Sequence, residues 1–484
     1  MTKELRRLSF VILAMFLSLF VATSWIQVVD ADNLAQNTAN TRTRLDSYQI
    51  QRGSIIVDGT AIATSVPADD RYQYQRVYSD PALWAPITGY YNPVLDSRTG
   101  IEQALNSELS GTGANAFFGE IERILSGQPQ QGLSVELTMD PRVQRAAYDA
   151  MQGLQGSVVA IEPATGRVLA MVSTPGFDTN ALAAHDPAAV NAEHDRLAAD
   201  ASKPLYNRAI GGNLNPPGST FKVIVAAAAL ESGEWTLDST FPNPASYTLP
   251  GTSQQVSNAW GGKCGDGETA TLAQALTLSC NIPMAELAVE LGDERIREMA
   301  EKFGFDAELE IPLTVTPSRY PTGMSDDEVA QTGYGQFDVR ATPLTIAMSM
   351  AGIANEGTVM KPRMVDAVIG DDFAVHTQFD DEAFAQALDP ETADALTSVL
   401  VEGVASGAAT GARIEGVDVA GKTGTAENGG KPYTLWFTGF APAEDPQVAV
   451  AVVVEDGGGR GTSGSGNAIA APIAKKVIEA VLGR

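Results

Sequence analysis

A serine and a lysine stand at the start of an apolar stretch, at a spacing that lets one act on the other. Ser219 and Lys222 follow residues 215–218, Asn-Pro-Pro-Gly, and precede the wholly apolar run Val223–Leu230. The prolines and the glycine interrupt what comes before, so we predict a helix that begins at about Ser219. Residues three apart share one face of a helix, so the two side chains point the same way. Burial would lower the pKa of the amine, which could then activate the serine as a nucleophile.

This pair of residues alone does not establish such chemistry. A serine that caps a helix and a lysine that reaches solvent along it have the same spacing. If the pair is buried, the N-terminus of the helix also supplies backbone N–H groups and a positive dipole end, which suit an oxyanion. The choice between the two interpretations therefore depends on the other polar motifs of the chain.

A second polar motif is Ser279-Cys280-Asn281, which follows a helical pattern and precedes Ile282-Pro283. A serine and an amide two residues apart on a loop can point into one cleft. The alternative is a helix end with two polar caps.

The third motif is Lys422-Thr423-Gly424-Thr425, on a predicted strand. A glycine within a strand lets another chain approach closely. Lys422 can hold a carboxylate, Thr423 and Thr425 can donate hydroxyls to it, and a strand N–H can complete an oxyanion hole. The spacing from Gly416 also fits a phosphate loop, but the residues that follow do not open a helix, so we reject nucleotide binding.

The elements around these motifs predict one α/β domain whose sheet is assembled from both ends of the chain. Strands are predicted in two groups, at 158–161 and 168–172 and then at 417–425, 435–440 and 448–454. A further strand is predicted at 134–139, with a helix from Asp140-Pro141 to Met151 after it. Residues 180–410 have a mostly helical pattern, and a last helix is predicted at 467–482.

The N-terminus predicts export and a membrane anchor. Basic residues dominate 1–7, and an uncharged apolar run follows at 8–29. Its length corresponds to about 33 Å of helix, enough to cross a bilayer core. The positive-inside bias places the N-terminus in the cytoplasm and the bulk of the chain outside. The alternative is a cleaved signal peptide, whose apolar part would be shorter. The polar segment 31–49 is predicted to be a stalk or a helix.

The composition limits which binding partners and which metal or cofactor chemistry the sequence predicts. The formal net charge is −27, with 32 basic and 59 acidic residues, so nucleic acid is not a predicted partner. With three histidines at no ligand spacing and two cysteines, we predict neither a metal nor a cofactor. Outside the cell Cys264 and Cys280 can form a disulfide, and the alternative is two buried thiols.

Ser-x-x-Lys, Ser-x-Asn and Lys-Thr-Gly, in that order, form the motif set of penicillin-binding proteins and class A β-lactamases. The chain resembles the class B penicillin-binding proteins, and most closely the short actinobacterial type. Further matches to that class lie along nearly the whole chain, at Arg52-Gly53-Ser54-Ile55 with Asp58-Gly59, Thr99-Gly100-Ile101-Glu102, Tyr206-Asn207-Arg208-Ala209, Gly333–Gln336, Thr342–Leu344, Ala354–Gly357 and Trp436–Gly439. The middle residue of the second motif, Cys280, departs from the aspartate of the usual form.

The resemblance implies a transpeptidase fold, in which an antiparallel five-stranded sheet is flanked by helices beside an all-helical part. It divides the chain into a cytoplasmic tail at 1–7, a transmembrane anchor at 8–29, a non-catalytic pedestal or dimerisation domain at 30–135 and a transpeptidase domain at 136–484. It implies a bacterial cell membrane protein with its catalytic domain outside, which serves cell-wall synthesis, division and shape. The implied partner is a glycan polymerase of the shape, elongation, division and sporulation (SEDS) family.

The resemblance also implies a role for each motif residue. A peptidoglycan stem peptide acylates Ser219 and releases its terminal D-alanine, Lys222 acts as the base, and an amine of a neighbouring stem then takes the acyl group. Ser279 relays a proton and Asn281 orders the site. The substrate carboxylate is held by the third motif, Lys422, Thr423, Gly424 and Thr425. The backbone N–H groups of Ser219 and Thr425 form the oxyanion hole, and β-lactams trap Ser219 as an acyl-enzyme.

Three other functions fit part of this pattern. A β-lactamase or a D,D-carboxypeptidase on the same fold would pass the acyl group to water. A β-lactam sensor would need a cytoplasmic signalling part, and seven residues before the anchor leave no room for one. A wall-assembly scaffold with a dead site is disfavoured by the complete motif set.

Overall fold

The computed structural model of the chain describes residues 2–29, 48–112, 131–212, 214–370 and 374–484. At the N-terminus a helix continues as a π-helical turn at Trp25–Val29. Its apolar side chains are exposed, as at Phe10, and Lys3–Gln27 is long and apolar enough to cross a membrane. Most of the predicted stalk segment, residues 31–47, lies outside the described residues.

The α-helices of the described residues are numbered in chain order. Helices α1 to α15 cover Thr2–Ser24, Pro81–Thr88, Gly100–Ala104, Asn106–Leu109, Pro141–Ala150, Thr179–Ala183, Pro187–Ala199, Lys222–Glu231, Leu272–Thr277, Ile282–Leu291, Asp293–Lys302, Asp326–Thr332, Pro343–Ala354, Pro390–Ala405 and Ala470–Val481. The predicted start of α5 is confirmed, because the Asp140 carboxylate accepts from the N–H groups of Arg142 and Val143 and a proline follows it.

The strands are numbered in the same way. Strands β1 to β19 cover Ile55–Val57, Thr60–Pro67, Tyr74–Tyr78, Tyr91–Asn92, Ser97–Arg98, Ser134–Leu137, Gly156–Ile161, Val168–Thr174, Thr240–Pro242, Tyr247–Thr248, Gln255–Val256, Thr269–Thr271, Thr358–Met360, Val365–Ile369, Val375–Gln378, Ala383–Gln386, Ala420–Asn428, Lys431–Ala441 and Val448–Val454.

The central sheet has the order β17-β18-β19-β7-β8, and all its pairs are antiparallel. Successive side chains of a strand point to opposite faces. Val450 and Val452 of β19 therefore pack on one face in the core that includes α5 and α15, while Ala449 and Ala451 pack on the other with α13. The predicted sheet from both ends of the chain is confirmed, and β17, which carries the third motif, is an edge strand.

A second sheet of six strands has the order β15-β14-β6-β1-β2-β3. Strand β6 pairs in parallel with β1 and antiparallel with β14, so a hairpin from far along the chain joins the N-terminal strands. The boundary predicted between 135 and 136 falls inside β6. Glu102 is fully buried at this sheet and pairs with Arg52 at 2.8 Å and Arg76 at 2.6 Å, which links two of the motifs that carry the family resemblance.

The predicted mostly helical middle is interrupted by short strands, which corrects that prediction. Between 240 and 271 the chain forms two ribbons, β9 with β12 and β10 with β11. Proline, glycine, serine and threonine are frequent in this stretch, and they favour turns over a helix. These ribbons matter for function because they hold a loop that contacts the second motif.

Candidate active site

Ser219 lies in a 3₁₀ turn, Gly218–Thr220, directly before α8. The predicted start of the helix is confirmed to within a few residues. Gly218 has a positive φ of 55°, and its N–H donates to the carbonyl of Gly335 at 3.0 Å. A Cβ on Gly218 would lie 3.3 Å from Ala426, so the glycine allows the turn to approach β17 closely. Ser219 itself is half-buried beside this strand.

Lys222 is fully buried and is hydrogen-bonded to the second motif. Its Nζ donates to the carbonyl oxygen of Ser279 at 2.7 Å and to Oδ1 of Asn281 at 2.8 Å. Burial, and secondarily the nearby charge of Lys422, lower the pKa of Lys222 well below its ordinary value. A neutral amine has two N–H donors and one lone pair. Because both donors have acceptors here, the lone pair remains to accept a proton.

Ser279 lies between two buried lysines. Lys422 donates from Nζ to Oγ of Ser279 at 2.6 Å and to the carbonyl of Thr423 at 3.0 Å. Burial lowers the pKa of Lys422 to about 7. Ser279 has a φ of 63°, which is uncommon for a residue other than glycine and turns its carbonyl and its hydroxyl to different lysines. Since its Oγ accepts from Lys422, the hydroxyl can donate its own proton to another group.

Asn281 is held by a residue that the sequence analysis missed. Oδ1 of Asn258 accepts from the backbone N–H of Asn281 at 2.7 Å and of Ile282 at 3.3 Å. Nδ2 of Asn281 in turn donates to the carbonyl of Ser257 at 2.9 Å. These bonds orient the Asn281 amide so that its oxygen faces Lys222. The only indication of this role in the sequence is that Asn258 is a polar residue in a stretch rich in turn-forming residues.

The structure joins Cys264 and Cys280 in a disulfide, with their Cα atoms 5.7 Å apart. Asn243 fixes the other side of this link, because its Oδ1 accepts from the N–H of Cys264 at 2.6 Å and its Nδ2 donates to the Cys264 carbonyl at 3.0 Å. The loop that carries Asn258 is therefore tied to the second motif by a covalent bond as well as by hydrogen bonds.

The third motif lies along β17 as predicted. A Cβ on Gly424 would lie 2.8 Å from the carbonyl oxygen of Pro217, so a glycine is needed where the Ser219 turn meets the strand. Oγ1 of Thr425 accepts from the N–H of Gly466 at 3.2 Å, which leaves its proton for a ligand. Oγ1 of Thr423 donates to the carbonyl of Ala408 at 3.2 Å, so its proton is already engaged.

The structure thus brings the three motifs together. Lys222 of the first motif and Lys422 of the third both donate to Ser279 of the second, and the Ser219 turn packs against β17. This arrangement can activate a hydroxyl, hold a carboxylate and supply protons without a metal. In the part of the chain that the structure describes, no three His, Cys, Asp or Glu side chains are grouped to hold a metal ion.

Comparison with known proteins assigns the chain to a family. The model of the penicillin binding protein transpeptidase domain matches residues 156–479, and that of the penicillin binding protein A dimerisation domain matches residues 52–135. The chain is 40% identical to the peptidoglycan D,D-transpeptidase PbpA of Mycolicibacterium smegmatis, over 100% of this chain and 99% of that protein.

The fold is similar to solved structures of penicillin-binding protein A from Mycobacterium tuberculosis. One of them superimposes with a TM-score of 0.85 at 39% identity and covers 90% of this chain and 100% of that one. A ceftriaxone acyl-enzyme complex of the same protein gives a TM-score of 0.87 over the same shares. By sequence, by fold and by its three motifs, this chain belongs to the penicillin-binding protein transpeptidase family.

Proposed function

We propose that the protein is a peptidoglycan D,D-transpeptidase, which cross-links stem peptides through an acyl-enzyme on Ser219 and is inhibited covalently by β-lactams. The observation that carries this proposal is the buried Lys222, whose two N–H donors are taken by Ser279 and Asn281. Burial lowers the pKa of this amine well below its ordinary value, which favours the neutral form that has a lone pair for the Ser219 proton. The full-length similarity to D,D-transpeptidases supports the same reaction.

In acylation, Lys222 takes the proton of Ser219 as Oγ attacks the carbonyl carbon of the penultimate D-alanine. The backbone N–H groups of Ser219 and Thr425 stabilise the oxyanion. Collapse of the tetrahedral intermediate forms the ester and breaks the amide bond to the terminal D-alanine. Ser279 donates its proton to the leaving amine and is resupplied by Lys422, which lies 2.6 Å away.

These steps move one positive charge from Lys422 to Lys222. The second half of the reaction returns it. An acceptor amine loses a proton to Ser279 and then to Lys422, its nitrogen attacks the ester, and Lys222 returns a proton to Ser219 as the new amide forms. A pKa of about 7 suits Lys422 to both directions of this transfer.

The terminal carboxylate of the donor binds at the third motif. Lys422 supplies a positive charge, and Thr425 supplies a hydroxyl proton that its contact with Gly466 leaves available. Gly424 keeps the strand close to the Ser219 turn. Thr423 contributes only if its hydroxyl leaves the carbonyl of Ala408 when substrate binds.

We also propose that the chain is a single-pass protein of the bacterial cell membrane. Residues 1–7 form the cytoplasmic tail, 8–29 the anchor, 30–135 the non-catalytic domain and 136–484 the transpeptidase domain outside the cell. The exposed apolar side chains of α1 and the basic residues before them support this orientation. A SEDS-family glycan polymerase is the proposed partner of the anchor and the N-terminal sheet, since a cross-linking enzyme needs newly made glycan.

The test is intact mass of the full-length protein in detergent after incubation with penicillin G. We expect a stable adduct on the wild type and none on Ser219→Ala. Ser232→Ala, at the end of the same helix, is the matched control and should keep the adduct. An adduct on Ser219→Ala would refute the assignment of the nucleophile.

A second measurement separates transpeptidase from carboxypeptidase and β-lactamase. A pentapeptide donor is incubated with and without an amine acceptor, and the products are resolved by mass. A cross-linked product that requires the acceptor supports the proposal. Fast release of the acyl group to water, with penicillin turned over as well, would instead assign a hydrolase.

A further inference from the structure

The turn that carries Ser219 follows two consecutive prolines. Residues 215–218 are Asn-Pro-Pro-Gly, and each proline ring fixes the φ angle of its own residue. Pro217 has a φ of −72° and a ψ of −14°. A segment with two fixed φ angles bends little, so a displacement of Asn215 is passed on to the turn. The contacts that hold Asn215 therefore affect the position of the nucleophile.

The side chain of Asn215 bonds to the central sheet at two points. Its Nδ2 donates to Oε1 of Glu455 at 3.2 Å, and its Oδ1 accepts from Oγ1 of Thr434 at 3.4 Å. Glu455 directly follows β19, and Thr434 lies in β18. These two bonds fix the direction in which the Asn215 amide faces the sheet.

Two backbone bonds hold the same segment. The carbonyl of Asn215 accepts from the N–H of Ala341 at 2.9 Å, and the carbonyl of Pro216 accepts from Nε1 of Trp436 at 3.0 Å. Both join neutral groups, whereas the bond to Glu455 has a carboxylate as its acceptor. Hydrogen bonds to charged groups are roughly twice as strong as neutral ones, so Glu455 contributes most to holding the segment.

Glu455 is itself held firmly. Its Oε2 accepts from Nε2 of Gln155 at 2.6 Å and from Nε of Arg208 at 3.1 Å, and its backbone N–H donates to the Gln155 carbonyl at 2.8 Å. Arg208 is 7% exposed and also donates to two backbone carbonyls. Loss of the carboxylate would leave a buried charge unpaired, which is costly. The ion pair therefore keeps Glu455 in place, with its Oε1 towards Asn215.

We propose that Glu455 is a positioning residue for the nucleophile. It holds the amide of Asn215, and the two prolines pass that position on to the Ser219 turn. Because it acts through Asn215 rather than on the reacting atoms, its loss should slow acylation more than it weakens the binding that precedes acylation. This inference rests on the proposed function, in which Ser219 is acylated.

Two single substitutions break this bond in different ways. In Glu455→Gln the amide oxygen should stay with Arg208, because a bond to a charged donor is the stronger one. The new NH₂ group then faces the NH₂ group of Asn215, and two donors cannot bond. Rotation of the Asn215 amide would turn its NH₂ group to Thr434, whose Oγ1 already accepts from Asn428 at 3.1 Å.

In Asn215→Asp two carboxylates face each other. The double variant, Asn215→Asp with Glu455→Gln, restores the bond. Its new carboxylate accepts from the new amide and can still accept from Thr434. Recovery in the double variant would show that the two side chains act through their mutual contact, which general damage to the fold would not produce.

The test measures acylation of Ser219 by penicillin G in the full-length protein in detergent, by stopped flow and quenched intact mass. Its concentration dependence separates the limiting rate from the half-saturating concentration. For each single variant we expect a limiting rate about tenfold lower, the effect of about one lost hydrogen bond, at a half-saturating concentration within about threefold of the wild type. The double variant should recover to within about threefold of the wild-type rate. Asn215→Ala keeps the ion pair of Glu455, should show the same loss and replaces a single variant that does not fold.

Asn180→Asp is the matched control. Asn180 is half-buried like Asn215, and its amide bonds to the N–H and the carbonyl of Tyr78 in the N-terminal sheet. It should lower the melting temperature and leave the limiting rate unchanged. Wild-type limiting rates in the single variants would overturn the inference, as would a double variant no faster than they are. The penicillin adduct on wild-type Ser219 tests the proposed function separately, so an adduct with unchanged rates would refute the role of Glu455 alone.

Discussion

Replacement of Asn258 by alanine tests how the second motif is positioned. Asn258 is 1% exposed, and its Oδ1 accepts from two backbone N–H groups, those of Asn281 and Ile282. Leaving two buried donors without a partner should cost about 2–4 kcal/mol of unfolding free energy. The amide of Asn281 would also lose its orientation towards Lys222. A hydrogen bond to an amine that becomes charged contributes about 1.5–3 kcal/mol, so acylation by penicillin G should slow roughly ten- to hundredfold.

The control is Asn243→Ala, which follows β9 in the same stretch of short ribbons. Asn243 is also buried and also accepts from a backbone N–H, but its partner is Cys264 rather than Asn281. It should destabilise the protein comparably and leave the acylation rate within about threefold of the wild type. Denaturant unfolding measures the first effect, and stopped-flow acylation of Ser219 the second. If both variants acylate at the same rate, Asn258 only stabilises the loop and our explanation of its role is wrong.

Three further predictions follow from single contacts. Gly424→Ala places a Cβ 2.8 Å from the carbonyl of Pro217, and a shift of the Ser219 turn by about 1 Å should reduce acylation about a hundredfold in the same assay. Glu102→Ala leaves two buried arginines without their carboxylate and should lower the free energy of unfolding by about 3–5 kcal/mol, measured by denaturant titration. Lys422, with a pKa of about 7, is charged below that pH and neutral above it, so binding of penicillin G should weaken as the pH rises through 7. The concentration dependence of acylation measures this binding, and Lys422→Met should remove the pH dependence.

The parts of the fold that could be predicted are those determined by local pattern. The run Val448–Val454 is apolar throughout, as a strand buried on both faces requires, and its predicted bounds match β19. Asp140-Pro141 contains both the cap and the first-turn proline of α5. The three motifs were found because each keeps a fixed spacing within a single turn or strand.

The parts that could not be predicted depend on contacts between distant segments. Strand β6 pairs with β14, more than 200 residues away, and no local pattern records that pairing. Asn258 lies 23 residues before Asn281, in a stretch whose composition predicts only turns. It reaches the site because the ribbons of 240–271 and the disulfide bring its loop there. A single side chain in such a loop has no periodicity that would distinguish it from its neighbours.

The second motif lies between two lysines that would repel each other if both were charged. Lys222 and Lys422 are both buried, and the charge of Lys422 is one cause of the lowered pKa of Lys222. Two charged amines so close would repel, so the site favours one charge at a time. Ser279 offers its carbonyl to Lys222 and its hydroxyl to Lys422, which its positive φ makes possible. In the proposed reaction the charge moves from Lys422 to Lys222 and back, and Ser279 must therefore keep this backbone conformation. The disulfide at Cys280 and the amide of Asn258 hold the residues next to it, which explains why the loop that supplies them packs against the cleft.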